Sequence, residues 1–355
     1  MKVGFLGLPG SGKTTLFNVV TGREIDPSEM GRAETRLAVV KVPDERVERV
    51  AQVYGSAKAT QPEVTFVDLM ALHTGDERGR QDDSLTKVAG DADAFALVIQ
   101  GFGSMNHRGE ALDPGADLEA LLLEMTVTDL GVVEGRVQRI ESELKSSRDK
   151  ASIERDLLVR VQEHLGDGRL VRDMELIPDE DRMLRGFNLL TSKPLLVVFN
   201  VSDEDLRAQT CTGACKLAEE AGLTWMPVSA ALEQELAELD EETQAEFLAE
   251  YGLDGLARER FIRACYDLLD VITFFTANEN QARGWTISAG ATAHEGAGKV
   301  HSDMYDGFIR AEVIPCEKLD ELGSIAACKE AGAMRLEGKD YQLQDGDVIE
   351  VRFNR

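Results

Sequence analysis

Gly7-Leu8-Pro9-Gly10-Ser11-Gly12-Lys13-Thr14 fits the eight-position template G-x-x-x-x-G-K-[ST], and Thr15 follows it directly. The apolar run Val3 to Leu6 before it reads as a buried strand. Leu16, Phe17, Val19 and Val20 after it fall at helical spacing, so the motif has the strand, loop and helix context that it requires. Glycines at these places let backbone N–H groups curl round an anion at a helix N-terminus, where unpaired donors and the helix dipole favour negative charge. The pattern therefore predicts a nucleoside triphosphate site built from Gly7, Pro9, Gly10, Ser11, Gly12, Lys13, Thr14 and Thr15. Lys13 is expected to reach the β- and γ-phosphates, and the Thr14 hydroxyl to ligate Mg²⁺.

Working outward, the strand Val64-Thr-Phe-Val-Asp68 ends in an acid at the carboxyl end of a buried strand, a place suited to a magnesium contact through water. Thr14 and Asp68 are thus the expected metal residues. Two polar stretches, Thr21 to Glu34 and His73 to Asp83, read as functional loops. The apolar strand Leu195 to Phe199 runs into Asn200-Val201-Ser202-Asp203, where guanine-specific switch proteins carry Asn-Lys-x-Asp; Val201 stands in place of the lysine. A later strand, Leu223 to Val228, delivers Ser229 and Ala230, whose backbone amides are expected near the base edge. Asn200, Val201, Asp203, Ser229 and Ala230 complete the expected nucleotide contacts.

Between these strands lies a different periodicity. Leu118, Leu122, Met125, Val133, Val137, Ile140 and Leu144 recur at three-four spacing over Asp117 to Lys145, and Ile153, Leu157, Val161 and Leu165 repeat it. Two charged helices turning near Ser146 to Asp149 predict an antiparallel coiled-coil arm, either a lever for a partner or an inert insertion, with Gly131 and Gly135 as a candidate bend. From Ile272 onward the pattern is β-rich, with Trp285 to Ile287, Phe308 to Ile314 and Asp347 to Phe353 as clear strands.

A chain of 355 residues suggests two or three domains. No uninterrupted apolar run reaches the roughly 18 residues that span a bilayer, and a strand starting at residue 2 leaves no room for a signal peptide, so the expected location is cytoplasmic, without membrane attachment. The five cysteines are scattered, and Cys211 and Cys215 lack the second pair of a zinc site; all are expected to be reduced thiols. A net charge of −26 argues against nonspecific attachment to nucleic acid or anionic lipid over the whole surface, and no sequence-specific DNA binding is expected. Even Asn278 to Arg355 carries nine Lys or Arg against fourteen Asp or Glu, so an RNA contact there would need a small basic patch.

Taken together, Gly7 to Asn18, Val39-Val-Lys-Val-Pro-Asp-Glu-Arg46, Phe66-Val-Asp68, Leu189 to Val201, Phe274-Phe-Thr276, Ala282-Arg-Gly-Trp-Thr-Ile287, Gly298 to Ile314 and Leu336 to Val348 resemble the Obg-like ATPases, also called YchF, nearly end to end. The resemblance implies an α/β fold: a P-loop G-domain with a mostly parallel sheet (1–116 and 191–277), an inserted helical coiled-coil arm (117–190), and a C-terminal ubiquitin-like β-grasp TGS domain (278–355). It implies binding of ATP at least as well as GTP, with Mg²⁺, and association with the ribosome or its RNA through the arm and the TGS domain. Three departures from the family stand out: Ala71 replaces the glycine of the Asp-x-x-Gly that Asp68 opens, Arg32 falls near the usual threonine of the first loop with Thr35 the nearest hydroxyl, and Asp203 replaces the usual glutamate. Leu72 occupies the catalytic place where many related switches put a water-orienting glutamine, as in the family, and cannot hydrogen-bond to water. His73 is a candidate substitute for that glutamine. His107 and His301 read as structural or partner-facing.

The function expected is slow hydrolysis of a nucleoside triphosphate in a regulatory switch, by in-line water attack with catalysis through positioning and charge neutralisation. The alternative is a nucleotide-controlled binding module with vestigial hydrolysis. A small-molecule kinase shares the Gly-Ser-Gly-Lys-Thr-Thr string, but needs neither Asn200-Val-Ser-Asp203 nor the terminal module.

Overall fold

The computed structural model describes residues 1–23, 36–69, 90–143, 150–208 and 213–354. From the amino end, β1 (Lys2–Gly7) leads through the glycine loop to α1 (Lys13–Thr21), followed by β2 (Arg36–Lys41), α2 (Glu45–Tyr54), β3 (Ala59–Thr60), β4 (Glu63–Asp68) and β5 (Ala94–Gly101). Next come α3 (Pro114–Glu143), α4 (Lys150–Gly166), α5 (Pro178–Arg185), β6 (Leu195–Val201), α6 (Asp203–Ala208), α7 (Gly213–Glu220), β7 (Thr224–Val228), α8 (Ala230–Leu236), α9 (Glu241–Tyr251) and α10 (Ala257–Leu269). The last stretch carries β8 (Val271–Ala277), β9 (Ala282–Ser288), α11 (Ala293–Val300), α12 (Ser302–Asp306), β10 (Phe308–Pro315), α13 (Cys316–Leu322), α14 (Ile325–Glu330), β11 (Arg335–Glu337) and β12 (Asp347–Phe353).

One six-stranded sheet has the order β2-β4-β1-β5-β6-β7, and its β1, β5, β6 and β7 pair in parallel. The interior strands β5 and β6 are near-continuous apolar runs, as strands covered on both faces must be. Phe5 and Phe66, from two strands, meet Phe261 of α10, with the Phe5 and Phe261 rings stacked at 5.1 Å between centroids. Each such pair adds about 0.5–1.5 kcal/mol beyond its area burial, so α10 is fixed against the sheet by shape as well as by apolar surface.

The arm grows from this core along one helix. α3 is 30 residues long and helical through both Gly131 and Gly135. Its first half places Leu118, Leu121 and Met125 among Leu97, Ile99, Leu195 and Val197. Its second half instead buries Val133, Val137 and Ile140 against Leu157, Leu158, Val161 and Leu165 of α4. Arg136 and Glu154 pair across this hairpin at 2.7 Å. The expected turn at Ser146 to Asp149 lies outside the described residues.

The chain forms two compact units, one of Lys2–Ala38 with Phe66–Leu268, the other of Met1, Val39–Thr65 and Leu269–Arg355. The second unit holds a six-stranded sheet of order β11-β10-β12-β8-β9-β3. At its centre β12 and β8 run parallel, flanked by antiparallel β10 and β9, which is the β-grasp arrangement. Successive side chains of a strand point to opposite faces, so the adjacent Phe274 and Phe275 of β8, both 0 % exposed, require two separate covers. Phe274 is covered by Ala293 and Ala297 of α11 with Leu343. Phe275 is covered by Val47, Val50 and Ala51 of α2, with Leu319 of α13. Arg46 fastens α2 there, donating to Asp345 at 2.6 Å and lying 5.3 Å over the Phe275 ring.

This division cuts across the four segments expected from the sequence: β8, α2 and β3 pack with the terminal module, while the flanking strands β2 and β4 belong to the first sheet. The physical reason is the two-sided burial of β8. One further expectation is corrected. Cys265, Cys316 and Cys328 are free and buried, whereas Cys215 is disulfide-bonded and not the reduced thiol expected; Cys211 lies outside the described residues. Among the described residues no helix is long and apolar enough to cross a membrane.

Candidate nucleotide-binding site

The site begins where β1 ends at Gly7. Gly10 and Gly12 adopt φ of +85° and +82°, in the left-handed region that side chains with a Cβ rarely enter. A Cβ on Gly12 would also strike Asn200 Nδ2, and one on Gly10 would stand 3.1 Å from His107 Cβ. Gly12 caps α1 without any side-chain acceptor, which leaves the first-turn N–H groups available to an anion. Ser11 Oγ, also in this loop, is buried with no hydrogen-bond partner. Gly7, Pro9, Gly10, Ser11, Gly12, Lys13, Thr14 and Thr15 therefore all sit in one loop and the first helical turn.

Asp68 at the end of β4 is brought to this turn. Lys13, 8 % exposed, donates from Nζ to Asp68 and to the Leu69 carbonyl at 2.5 Å. Thr14 Oγ1 donates to Asp68 Oδ2 at 3.2 Å. Burial lowers the Lys13 pKa from its ordinary value, with Arg36 adding to that effect and Asp68 opposing it. One hydroxyl and one carboxylate side by side are hard oxygen donors that fit Mg²⁺, which binds through few protein groups and completes its octahedron with water and phosphate oxygens. Among the described residues no cluster of three His, Cys, Asp or Glu side chains could form an all-protein cage. The donor set and the orphaned Ser11 hydroxyl are consistent with a phosphate-bound magnesium ion.

On the other side of the loop, Asn200, the last residue but one of β6, has its carboxamide spent on two backbone contacts. Nδ2 donates to Ser11 O at 3.0 Å, and Oδ1 accepts from Ala230 N at 3.1 Å. It thereby ties the phosphate loop to the Ser229-Ala230 turn. Ser229 Oγ donates to Asp203 Oδ1 at 2.5 Å and accepts from Leu232 N, capping α8. Val201 is 7 % exposed and packs in the apolar core with Phe199 and Leu206. A lysine in its place would have to leave that core.

Sequence reasoning left His107 out of the site. Gln100, the polar last-but-one residue of β5, donates from Nε2 to Phe102 O and Met105 O, both at 3.1 Å. Asn106 Oδ1 accepts from Arg108 N and Glu110 N, turning the segment back on itself. These bonds hold His107 against Gly10. Its charge also opposes the burial that raises the pKa of Asp117 at the start of α3. The signal available in the sequence was a buried glutamine ahead of an Asn-His turn. Arg32, Thr35, Ala71, Leu72 and His73 lie outside the described residues.

The chain is similar to known proteins over nearly its whole length. A family model described as "YchF-GTPase_C: Protein of unknown function (DUF933)" matches residues 271–354. The chain is 35 % identical over 360 residues to the ribosome-binding ATPase YchF of Haemophilus ducreyi, covering 99 % of each. It is 34 % identical to the protein of the same name from Bacillus subtilis, over 100 % of this chain and 99 % of the other, and 32 % identical to Obg-like ATPase 1 of Oryza sativa subsp. japonica, over 100 % and 92 %. The solved structure of the Schizosaccharomyces pombe YchF GTPase superposes with a TM-score of 0.82 at 24 % identity, covering 99 % of this chain and 97 % of that one.

Proposed function

The chain belongs to the YchF family of Obg-like ATPases, and from that membership we propose that it is a cytoplasmic, ribosome-associated switch that binds ATP or GTP with Mg²⁺ and slowly hydrolyses the β-γ anhydride. The observation that carries the reading is the meeting of Lys13, Thr14 and Asp68 at the available N–H groups of α1. Lys13 and the loop amides bind the phosphates and neutralise the charge that spreads over their oxygens as the anhydride opens. Thr14 and Asp68 would hold the magnesium ion, which when bound supplies further charge neutralisation. Base recognition falls to the Asp203–Ser229 pair and the Ala230 turn. The burial of Val201, where guanine-specific switches carry lysine, supports tolerance of adenine.

Leu72 offers no hydrogen bond to an attacking water. His107, an imidazole carried against Gly10, is the group we assign to orienting it. His107→Ala should lower single-turnover hydrolysis by about 100-fold, within the range of general acid-base effects, while triphosphate affinity stays within about threefold. An equal fall in affinity would make His107 a part of the binding loop only. The second reading, a nucleotide-controlled binding module, is favoured by Ala71 in place of the family's glycine and by the charged stretch Asp76 to Asp83. Titration with ATP and GTP followed by single-turnover hydrolysis, with and without ribosomes, separates the two: tight binding with no turnover in either setting would sink the enzyme reading.

A further inference from the structure

The three passages of the chain through the root of the arm converge on one buried carboxylate. Asp129, 1 % exposed, lies in α3 midway between Met125, which belongs to the core of the sheet, and Val133, which belongs to the core of the arm. Its Oδ1 accepts from Leu190 N at 2.8 Å. Its Oδ2 accepts from Thr191 N at 2.7 Å and from Thr191 Oγ1 at 2.6 Å. Thr191 Oγ1 in turn accepts from Val171 N at 3.3 Å, on the chain returning from α4. The outgoing helix, the returning turn and the exit toward β6 are thus joined through one carboxylate and one hydroxyl. The seam is equally sharp on the exit side, where Leu189 packs into the arm core and its neighbour Leu190 into the sheet core.

Four residues beyond Thr191, β6 begins, and every residue of β6 is buried. A close-packed strand cannot bend to absorb a displacement of its end; it transmits it. The last residue but one of β6 is Asn200, whose carboxamide holds Ser11 O of the phosphate loop and Ala230 N of the base-side turn. We infer that Asp129 is a positioning residue that couples the arm to the phosphate loop, through Leu190-Thr191, β6 and Asn200, so that nucleotide occupancy and the state of the arm are linked. Burial without a cationic partner among its hydrogen-bonded groups suits this role. The donors are all on the segment to be held, so the bonds are kept or lost together.

This inference rests on nucleotide binding at the phosphate loop, and the test separates the two. Full-length protein is followed by amide hydrogen exchange with and without the ATP analogue AMPPNP and Mg²⁺, as wild type, Asp129→Asn and Thr191→Val. In the wild type, nucleotide should slow exchange at least threefold in peptides covering residues 7–18, 186–194 and 155–166. Asp129→Asn should keep the protection of 7–18 and lose that of 155–166, a split that a merely structural defect would not produce. Thr191→Val, which keeps both amide donors but removes the hydroxyl, should retain part of the arm response, and it stands in for Asp129→Asn should that variant not fold. No protection of 7–18 in the wild type would overturn the proposed nucleotide site. Protection there with no response at 155–166, or an undiminished arm response in the variants, would overturn the coupling.

Discussion

Asp68 and Asp129 are buried in the same compact unit, at 5 % and 1 % exposure, yet they are held by opposite means. Asp68 faces an ammonium and a hydroxyl, those of Lys13 and Thr14. Asp129 faces two backbone amides and a hydroxyl, with no cation. A lysine ammonium rides on a flexible stem, so the partner of Asp68 can turn to a phosphate without disturbing the backbone. The partners of Asp129 are fixed in the chain, and it can release them only if the chain moves. One acid is arranged for exchange of ligands, the other for holding segments in place.

The largest effect should follow from Lys13→Ala. Triphosphate affinity should fall at least about 100-fold, roughly 3 kcal/mol, by calorimetric titration. The ligand-free protein should also lose roughly 3 kcal/mol, because breaking a buried pair leaves Asp68 uncompensated. The double variant Lys13→Ala with Asp68→Asn should recover most of that stability and none of the affinity. If stability stays low, the contrast drawn for Asp68 fails.

Next comes Asp129, whose pKa burial pushes up to about 6, against three hydrogen bonds that pull it down. Its folded value lies above the unfolded value of about 3.9, so the native state holds this proton more tightly. The stabilising contribution is therefore fully present below about pH 4 and is lost as pH rises through about 6; a shift of this size corresponds to roughly 2–3 kcal/mol. Urea unfolding of wild type and Asp129→Asn between pH 4 and 7 should show the difference in unfolding free energy shrinking by about that amount as pH increases. A difference independent of pH would remove the account of Asp129 as a carboxylate buried without a cation.

The smallest effect is a control in the other unit. Arg46→Ala removes the bonds to Asp44 and Asp345 and the contact with Phe275. With Asp345 half exposed, the loss should be about 1 kcal/mol, read from thermal unfolding. Triphosphate affinity should not change.

The glycine loop and its meeting with Asp68 were legible because the motif is written in consecutive residues. Gly7 to Thr14 is one string, and Asp68 closes an apolar run whose length and ending mark it. The α/β class, the arm and the terminal strands were legible too, since period 3.6 and period 2 survive in the local pattern. Asp129 was not. A carboxylate in a long charged helix looks like any solvated position, and only a partner 61 residues away shows that it is inside. His107 was missed for a similar reason: its place depends on Gln100 gathering a turn, a contact without periodicity. Nor did local pattern show that α2 and β3 join the second sheet. The stripe Val47, Val50 and Val53 says that a helix needs a cover, not which surface supplies it.

That last pairing sets an order of events during synthesis. Arg46 and Asp345 are 299 residues apart, and at about 5–20 residues per second the first waits on the order of 15 to 60 s for the second to be made. Through that interval α2 has an apolar face and no sheet to lay it on, although the strands and helices of the other unit are already complete once Leu268 has left the ribosome. The nascent chain thus carries a sticky early helix until its last strand, β12, is made, and this is the segment on which a chaperone holding the unfinished protein would be expected to act.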